Sequence, residues 1–399
     1  MASPRVAFFP DSFGQADGVS IFAQEFERYA RRHAIPWLVI YAGGQHSARL
    51  AAEPDGPVAR LALPRSAASF ALDDAHHFDL LFSRHLQQAM ARVREFRADF
   101  VQITGPGDAG ILGAMVAHKL GLPLLAFWQT DLPRYAGLRT SRALSWLPSV
   151  PRERAAALSV KLSRWAVARY YRLPKLIFVP NPDLMAEVSA GGNPCRILPH
   201  GVDLGLFHPG RRDRADDCLT IGYAGRLAPE KSVRELVQLE AALLASGHTN
   251  FCLSIVGDGP EMGWLRANLR HAQFHGVLHG AELARAFANM DVFAFPSRTD
   301  TYGLVVLEAL ASGVPAVVTD VGGPQCTVED GRTGLVTRSR EEFSQAVGLL
   351  LASPQLRAGM ARQAQEYAQR HTWEHAFERL YAVYAEFLTG MAPAAAGSV

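Results

Sequence analysis

The sequence predicts an α/β protein with two Rossmann-like, doubly wound parallel sheets that follow one another along the chain. Its 399 residues exceed what one hydrophobic core usually holds, so two domains are expected. Short, almost continuous apolar runs alternate with amphipathic segments, which is typical of parallel strands buried on both faces and joined by helices. Proline and glycine cluster between residues 194 and 210 and indicate a linker between the domains.

Apolar runs on both sides of the linker predict the strands. They are Val6–Phe9, Trp37–Tyr41, Phe100–Ile103, Leu124–Phe127 and Leu176–Val179 before it, and Thr220–Tyr223, Phe251–Val256, Val292–Phe295 and Ala316–Thr319 after it. The segments between them are the expected helices. We predict a first domain over residues 1–198, a second over 199–372, a last helix over about 373–390 and a flexible tail over 391–399.

The composition excludes several classes of protein. A net charge of +2 gives no general reason to expect a nucleic-acid partner. The four cysteines are scattered without a C-x-x-C pair, so neither a zinc ribbon nor a disulfide framework is expected and a reducing cytoplasm fits best. No apolar signal segment or uncharged run of about twenty apolar residues is present. Any membrane contact is therefore expected to be peripheral, at the inner face.

The strongest functional signal is a loop that runs into a helix within Ser297–Pro315. Gly303 stands at the junction, and acids stand on either side of it at Asp300 and Glu308. The N-terminus of a helix offers free N–H groups and a positive dipole, which suit a phosphate. Two acids suit the hydroxyls of a sugar and a ribose. The segment therefore predicts a nucleotide-sugar site.

Two cations follow the first predicted strand of the second domain. Arg226 and Lys231 lie in Gly225–Lys231, at a strand end of the kind where open α/β sheets bind ligands. Together they have the charge to neutralise a diphosphate. The alternative interpretation is a solvated loop.

Two further glycine-bearing turns are weaker signals. Gly257, Gly259 and Gly263 are spaced G-x-G-x-x-x-G, which differs from the dinucleotide-binding fingerprint and indicates a tight turn between strand and helix. Gly18 lies in the loop after the first strand, and a backbone without Cβ can approach a ligand closely.

Gln129, Thr130 and Asp131 follow the strand Leu124–Phe127. Polar side chains at the carboxyl end of a strand are candidates for an acceptor site, and capping of the loop is the alternative.

A basic helix is predicted over Arg154–Arg172. At 100° per residue its cations fall within about 140° of one another, and Leu158 and Trp165 lie in the same sector. The cations are Arg154, Lys161, Arg164, Arg169 and Arg172. Cations around an exposed tryptophan suit an anionic membrane surface. The alternative is a solvated face with Trp165 packed against a neighbour.

The histidines do not predict a metal site. His271, His275 and His279 are spaced by four, which would place them on one face of a helix. Gly276 and Gly280 interrupt that helix, and no acid joins at ligand spacing.

These motifs together resemble the retaining glycosyltransferases of family four, over nearly the whole chain. The matching elements are the Gly18 loop, Gln129–Asp131, His200–Asp203, Gly225–Lys231, Gly257–Pro260 and Asp300–Glu308. The resemblance implies the GT-B fold, in which two Rossmann-like domains face each other across a cleft, with a last helix that crosses back to the first domain. It also implies that no metal or other cofactor is needed.

The resemblance implies a role for each matching residue. Arg226 and Lys231 would hold the diphosphate, Asp300 would lie beside the donor sugar, and Gln129 would face that sugar. Donor contacts are implied for Gly18, Gly225, Gly257, Val277, Leu278, Gly303, Leu304, Val305 and Glu308. Acceptor contacts are expected at Thr130 and Asp131, and membrane contacts at Arg154, Lys161, Arg164 and Trp165.

The chain also departs from the family pattern. Asp300 stands where the family usually has Glu, Gln129 where it often has His, and His200 where it usually has Asn. Gln cannot carry a proton or a positive charge, so these changes affect donor preference and rate more than fold.

We therefore expect a metal-independent, retaining hexosyltransferase that uses a UDP- or GDP-linked sugar. Its acceptor is expected to be a membrane lipid, with a soluble sugar as the alternative. A nucleotide-sugar epimerase of similar fold and a non-catalytic nucleotide-sugar-binding protein are the competing functions.

Overall fold

The computed structural model describes residues 3–391, except 15, 16, 44–55, 72–76, 130–136, 138, 139, 142, 143, 145, 147, 199 and 216. The chain divides into two compact units. Unit 1 comprises residues 1–199 and 376–399, and unit 2 comprises residues 200–375. Each unit contains its own parallel sheet.

The sheet of unit 1 is parallel throughout and has the order β3-β2-β1-β6-β7-β8-β9. Its strands are β1 (Val6–Phe9), β2 (Trp37–Gly43), β3 (Val58–Pro64), β6 (Phe100–Ile103), β7 (Leu124–Phe127), β8 (Leu176–Val179) and β9 (Cys195–Ile197). A small antiparallel hairpin pairs β4 (Ser69–Ala71) with β5 (His77–Asp79). The helices are α1 (Gly18–Arg32), α2 (Leu86–Phe96), α3 (Asp108–Leu120), α4 (Ser149–Tyr170) and α5 (Pro182–Ala190).

Aromatic side chains join the last helix of the chain to unit 1. Phe377 stacks on Phe26 of α1 with ring centroids 5.0 Å apart, and the buried Tyr384 donates a 3.2 Å hydrogen bond to Gln102. Both residues belong to the helix Trp373–Met391. Burial of such large rings is the main source of stability in a core of this kind, which explains why residues 376–391 belong to unit 1.

The sheet of unit 2 has the order β12-β11-β10-β13-β14-β15, which is the Rossmann order. Its strands are β10 (Leu219–Ala224), β11 (Phe251–Val256), β12 (Ala272–Gly276), β13 (Val292–Phe295), β14 (Ala316–Thr319) and β15 (Gly334–Thr337). Its helices are α6 (Glu235–Ala245), α7 (Met262–Asn268), α8 (Gly280–Ala288), α9 (Leu304–Ala311), α10 (Pro324–Thr327), α11 (Arg340–Ala352) and α12 (Pro354–Gln369), before α13 (Trp373–Met391). Two doubly wound sheets were predicted, and this prediction is confirmed.

The sequence analysis missed four strands of the two parallel sheets, as well as the hairpin of β4 and β5. The missed strands β3, β9, β12 and β15 are part of the two sheets. His275 lies within β12 and His271 directly before it. The three histidines His271, His275 and His279 therefore do not share one face of a helix, because a strand does not place residues four apart as a helix does.

Candidate functional site

The loop that carries the two predicted cations is fixed to its neighbour at the carboxyl ends of β10 and β11. Leu227 N donates to Asp258 O at 2.8 Å, and Glu261 N donates to Leu227 O at 2.9 Å. A Cβ at Gly257 would overlap the carbonyl oxygen of Gly225. The two loops can therefore approach so closely only because glycine stands at position 257.

Both cations of this loop lie against carboxylates. Arg226 Nη2 forms an ion pair with Glu230 in the same loop, and Lys231 Nζ lies 2.5 Å from Asp300 Oδ1. Thr299 Oγ1 donates to Glu230 O at 2.8 Å, so the loop before α9 and the loop after β10 are bound together. These contacts bring Arg226, Lys231 and Asp300 into one charged group at the carboxyl edge of the sheet.

Asp300 has one carboxylate oxygen available. Oδ1 accepts from Lys231, whereas Oδ2 is buried and has no hydrogen-bond partner among the described residues. A buried carboxylate oxygen that accepts no hydrogen bond lowers the stability of the folded protein. The hydroxyl group of a bound sugar would supply such a donor.

The N-terminus of α9 is open to a ligand. Gly303 is its N-cap residue, with φ +84°, and no side chain caps the helix. Leu304 and Val305 are its first two residues and are half-buried. Their main-chain N–H groups, together with the positive end of the helix dipole, form the kind of site that binds phosphate.

Two glycines that sequence reasoning missed support this turn. Gly323 N donates to Asp300 O at 2.7 Å, and a Cβ at Gly323 would overlap the carbonyl group of Thr301. A Cβ at Gly322 would lie 2.8 Å from Asp300 O. The turn at 300–303 therefore rests on a loop that only glycine can form, and the Gly-Gly-Pro run at 322–324 was the available signal.

Glu308 lies one turn into α9. Burial raises the pKa of its carboxyl group to about 7. The structure gives this carboxylate no hydrogen-bond partner among the described residues, although its main-chain oxygen accepts from Ser312. A half-buried carboxylate that accepts no hydrogen bond is suited to two adjacent hydroxyl groups, such as a ribose diol.

The loop after β12 holds two residues for which the resemblance implies contacts with the donor. Val277 is 53% exposed, and Leu278 is half-buried. Gly257 N donates to Gly276 O at 2.7 Å, so this loop adjoins the Gly257 turn. Gly225, Gly257, Val277 and Leu278 therefore all lie at the carboxyl ends of β10, β11 and β12.

In unit 1 the predicted residues also lie at strand ends. Gly18 is the first residue of α1, where the side chain of Asp17 caps the helix by accepting from Ser20 N. Gln129 follows β7 and is half-buried. Thr130 and Asp131 lie outside the described residues.

Asp11, which the sequence analysis did not select, is half-buried beside the N-terminus of α3. It accepts a 3.0 Å hydrogen bond from Gly110 N. Burial raises the pKa of Asp11 to about 6, against hydrogen bonds from Gly110 and Gly107 that lower it. A Cβ at Gly105 would lie 2.8 Å from its carboxylate, so the loop after β6 is shaped around this acid.

The basic helix is α4, and its exposed face is the predicted one. Trp165 is 70% exposed and Leu158 is 55% exposed, whereas Val167 is 6% exposed. Arg154, Lys161 and Arg164 are also exposed. Arg164 lies 4.0 Å from Glu187. Trp165 is therefore not packed into the core of unit 1.

Two kinds of feature are absent from the residues that the structure describes. No group of three or more His, Cys, Asp or Glu in this part of the chain is arranged to hold a metal ion. No helix among the same residues is both long and apolar enough to cross a bilayer.

Comparison with known proteins identifies the family of this site. Residues 218–353, which include the charged group and α9, match the family model described as Glycosyl transferases group 1. These residues of unit 2 are therefore similar to that family. The predicted resemblance to glycosyltransferases of family four is confirmed at the level of this family model.

Similar proteins carry related names. The GDP-mannose-dependent alpha-mannosyltransferase of Mycobacterium tuberculosis is 35% identical over 253 residues, which are 61% of this chain and 61% of that protein. A D-inositol 3-phosphate glycosyltransferase of Actinosynnema mirum is 32% identical over 52% of this chain and 57% of its own length. The chain thus spans about three fifths of the length of these relatives.

A solved structure extends the likeness to the fold of nearly the whole chain. Sucrose-phosphate synthase from Thermosynechococcus elongatus superposes with a TM-score of 0.72 at 18% identity, over 97% of this chain and 100% of that one. The predicted GT-B class, with two Rossmann-like units, is therefore confirmed.

Proposed function

We propose that this protein transfers a sugar from a nucleoside diphosphate sugar to an acceptor, with retention of configuration. The observation that carries the proposal is the group formed by Arg226, Lys231 and Asp300 beside the uncapped N-terminus of α9. It combines cations for a diphosphate with acids for hydroxyl groups. The GDP-mannose in the name of the mycobacterial relative supports a GDP-linked donor, with UDP as the other candidate.

In this proposal the difficult step is departure of the diphosphate from the anomeric carbon. Arg226 and Lys231 exchange Glu230 and Asp300 for the phosphate oxygens and stabilise the charge that develops there. The bond between carbon and phosphate oxygen breaks as the acceptor oxygen bonds to the same face. The acceptor proton passes to the departing phosphate, so no metal or covalent nucleophile is required.

Asp300 and Glu308 orient the donor. The free Oδ2 of Asp300 accepts from a sugar hydroxyl group, and Glu308 accepts from the ribose diol.

Thermal stabilisation by UDP, GDP, ADP and their sugar conjugates tests the donor site. A ligand at one hundred times its dissociation constant adds about 2.7 kcal/mol to the free energy of unfolding. A shift with one nucleotide supports the site and identifies the base. Absence of any shift would refute a nucleotide-sugar site.

Product analysis separates the competing functions. An epimerase would change the sugar with no acceptor present, and a non-catalytic binder would show the shift without any product. The relatives reported above are named as transferases, so they give no support to an epimerase.

We further propose that α4 brings the protein to an anionic membrane surface, which would place a lipid acceptor within reach. Leu158, Leu162 and Trp165 are each more than half exposed. Among them lie Arg154, Lys161 and Arg164. Basic residues close to anionic headgroups each contribute about 1 kcal/mol to binding, and the apolar side chains add burial in the interface.

Co-sedimentation with vesicles of phosphatidylserine and phosphatidylcholine tests this surface. Lys161→Glu combined with Arg164→Glu is expected to reduce binding by tenfold or more at low salt, since two charges are reversed. Trp165→Ser is expected to reduce binding at every salt concentration. Arg94→Glu, on an exposed position of α2, is the matched control. Unchanged sedimentation of the double variant would rule out α4 as the contact.

A further inference from the structure

The first residues of unit 2 are fastened to the segment that precedes α13. Val202 N donates to His371 O at 2.9 Å, and Val202 forms a β-bridge with Thr372. A Cβ at Gly201 would overlap the main chain at Thr372 and Trp373. The two segments at which the chain enters and leaves unit 2 are therefore in direct main-chain contact.

His200, the first residue of unit 2, connects this junction to the donor turn. Its ring stacks on Tyr302 with centroids 4.0 Å apart and planes 15° apart. The side chain of Trp373 lies near the same imidazole, with ring centroids 6.4 Å apart. His200 is only 8% exposed, so its ring is fixed in a packed position.

Tyr302 lies directly before Gly303, the N-cap of α9. Its main-chain oxygen accepts a 3.2 Å hydrogen bond from Thr327, and the residues before it rest on Gly322 and Gly323. The main chain of the turn is thus supported from one side by glycines and a threonine. The aromatic side chain of Tyr302 is held by His200.

We propose that His200 is a positioning residue for the donor, because its stack on Tyr302 fixes the turn from which Gly303, Leu304 and Val305 present their N–H groups. This inference rests on the proposed function of α9 as the phosphate and sugar site. In this proposal His200 does not itself contact the donor or the reacting atoms. It acts on them only through Tyr302.

The test compares three variants of the full chain. His200→Ala removes the stack, and His200→Phe retains it without the imidazole nitrogens. His371→Ala is the control, because His371 forms a stack of the same geometry, 4.0 Å and 17°, on Tyr367, a residue of α12 that does not belong to the donor turn. Its main-chain bond to Val202 survives in alanine.

We expect His200→Ala to raise the donor KM about five- to tenfold, as loss of one aromatic stack allows, while the acceptor KM stays unchanged. His200→Phe should restore the donor KM to within about twofold. His371→Ala should lower thermal stability as much as His200→Ala without changing the donor KM. If His200→Ala does not fold, His200→Asn removes the ring and carries the same expectation.

The possible failures are distinguishable. If the unmodified protein binds no nucleotide sugar, the proposed function fails. If it binds one and His200→Ala has the donor KM of the His371→Ala control, only the positioning role is overturned. Equal effects on donor and acceptor KM would likewise show that His200 supports the unit as a whole.

Discussion

The carboxyl edges of the two sheets both contain buried or half-buried acids, but these acids accept hydrogen bonds from the protein to different extents. In unit 1, Asp79 accepts from Ser66, Leu81 and Arg84. Asp108 accepts from Arg65 and from Asp79 N. Asp11 accepts from Gly110 N. The protein itself supplies donors to each of these acids.

In unit 2 the acids at the carboxyl edge of the sheet accept fewer hydrogen bonds from the protein. Glu308 has no hydrogen-bond partner among the described residues, and burial raises its pKa. Asp300 has one oxygen without a partner. Elsewhere in the same unit, Glu240 accepts from the main chain of Arg270 and His271. Glu235, elsewhere in unit 2, also has one buried oxygen without a hydrogen-bond partner, while its other oxygen pairs with Arg340. At the donor site the missing hydrogen bonds are those that the hydroxyl groups of a ligand could supply.

The largest expected effect follows from removing one donor-site cation. Arg226→Ala and Lys231→Ala should each reduce turnover about a hundredfold or more, because charge on the leaving diphosphate loses its main stabilisation. Steady-state transfer of sugar to an acceptor measures this loss. Near-normal turnover in either variant would refute the assigned role.

A structural cation provides the contrast to that prediction. Arg60 pairs with the buried Glu27 at 2.6 Å between β3 and α1. Arg60→Ala should lower thermal stability by about 1–3 kcal/mol, since a buried carboxylate loses a donor, and should leave turnover within about twofold. A turnover loss equal to that of Lys231→Ala would remove the distinction between the two kinds of ion pair.

The sequence predicted the strands that have continuous apolar runs. The four strands of the parallel sheets that it missed lie at the edges of those sheets. β3 and β9 flank the sheet of unit 1, and β12 and β15 flank that of unit 2. Edge strands are covered less completely, so their sequences mix polar and apolar residues. β12, for example, alternates half-buried and exposed positions. The central strands could be predicted because burial on both faces gives them continuous apolar sequences.

The candidate site likewise contains residues that local sequence patterns predict and contacts that such patterns do not predict. Arg226, Lys231, Asp300 and Glu308 stand in local segments whose strand–loop–helix pattern indicates a phosphate site. The stack of His200 on Tyr302 joins residues about one hundred positions apart in sequence, and the support of Gly323 for Thr301 also requires the folded chain. Contacts between segments so far apart in the sequence cannot be predicted from the spacing of residues.

A moderate effect is expected from Gly323→Ala. The added methyl group would overlap the Thr301 carbonyl group, so the turn before α9 must shift. A displacement of this size can cost about tenfold or more in donor affinity, which titration calorimetry with the nucleotide sugar measures. Gly263→Ala is the control, because a Cβ there meets no atom within 4 Å. If both variants bind the donor equally, the turn does not need the glycine support.

The smallest expected effect is a difference in pH dependence between the two acids. The folded-state pKa of Glu308 is raised from 4.5 to about 7. Its contribution to stability is therefore present below pH 4.5 and lost as pH rises through about 7. The pKa of Asp11 is raised from 3.8 to about 6, so most of its contribution is already lost by pH 6.5. Between pH 6.5 and 8, Glu308 should therefore account for a larger loss of stability than Asp11.

Denaturant unfolding of the ligand-free protein at these two pH values separates the contributions. Glu308→Gln should reduce the loss of stability between pH 6.5 and 8, because the neutral amide has no charge to desolvate, and should also weaken nucleotide-sugar binding. Asp11→Asn should leave most of that loss in place. If Asp11→Asn removed more of the loss than Glu308→Gln, the incompletely satisfied acid would lie in unit 1, and the contrast between the two sheet edges would be reversed.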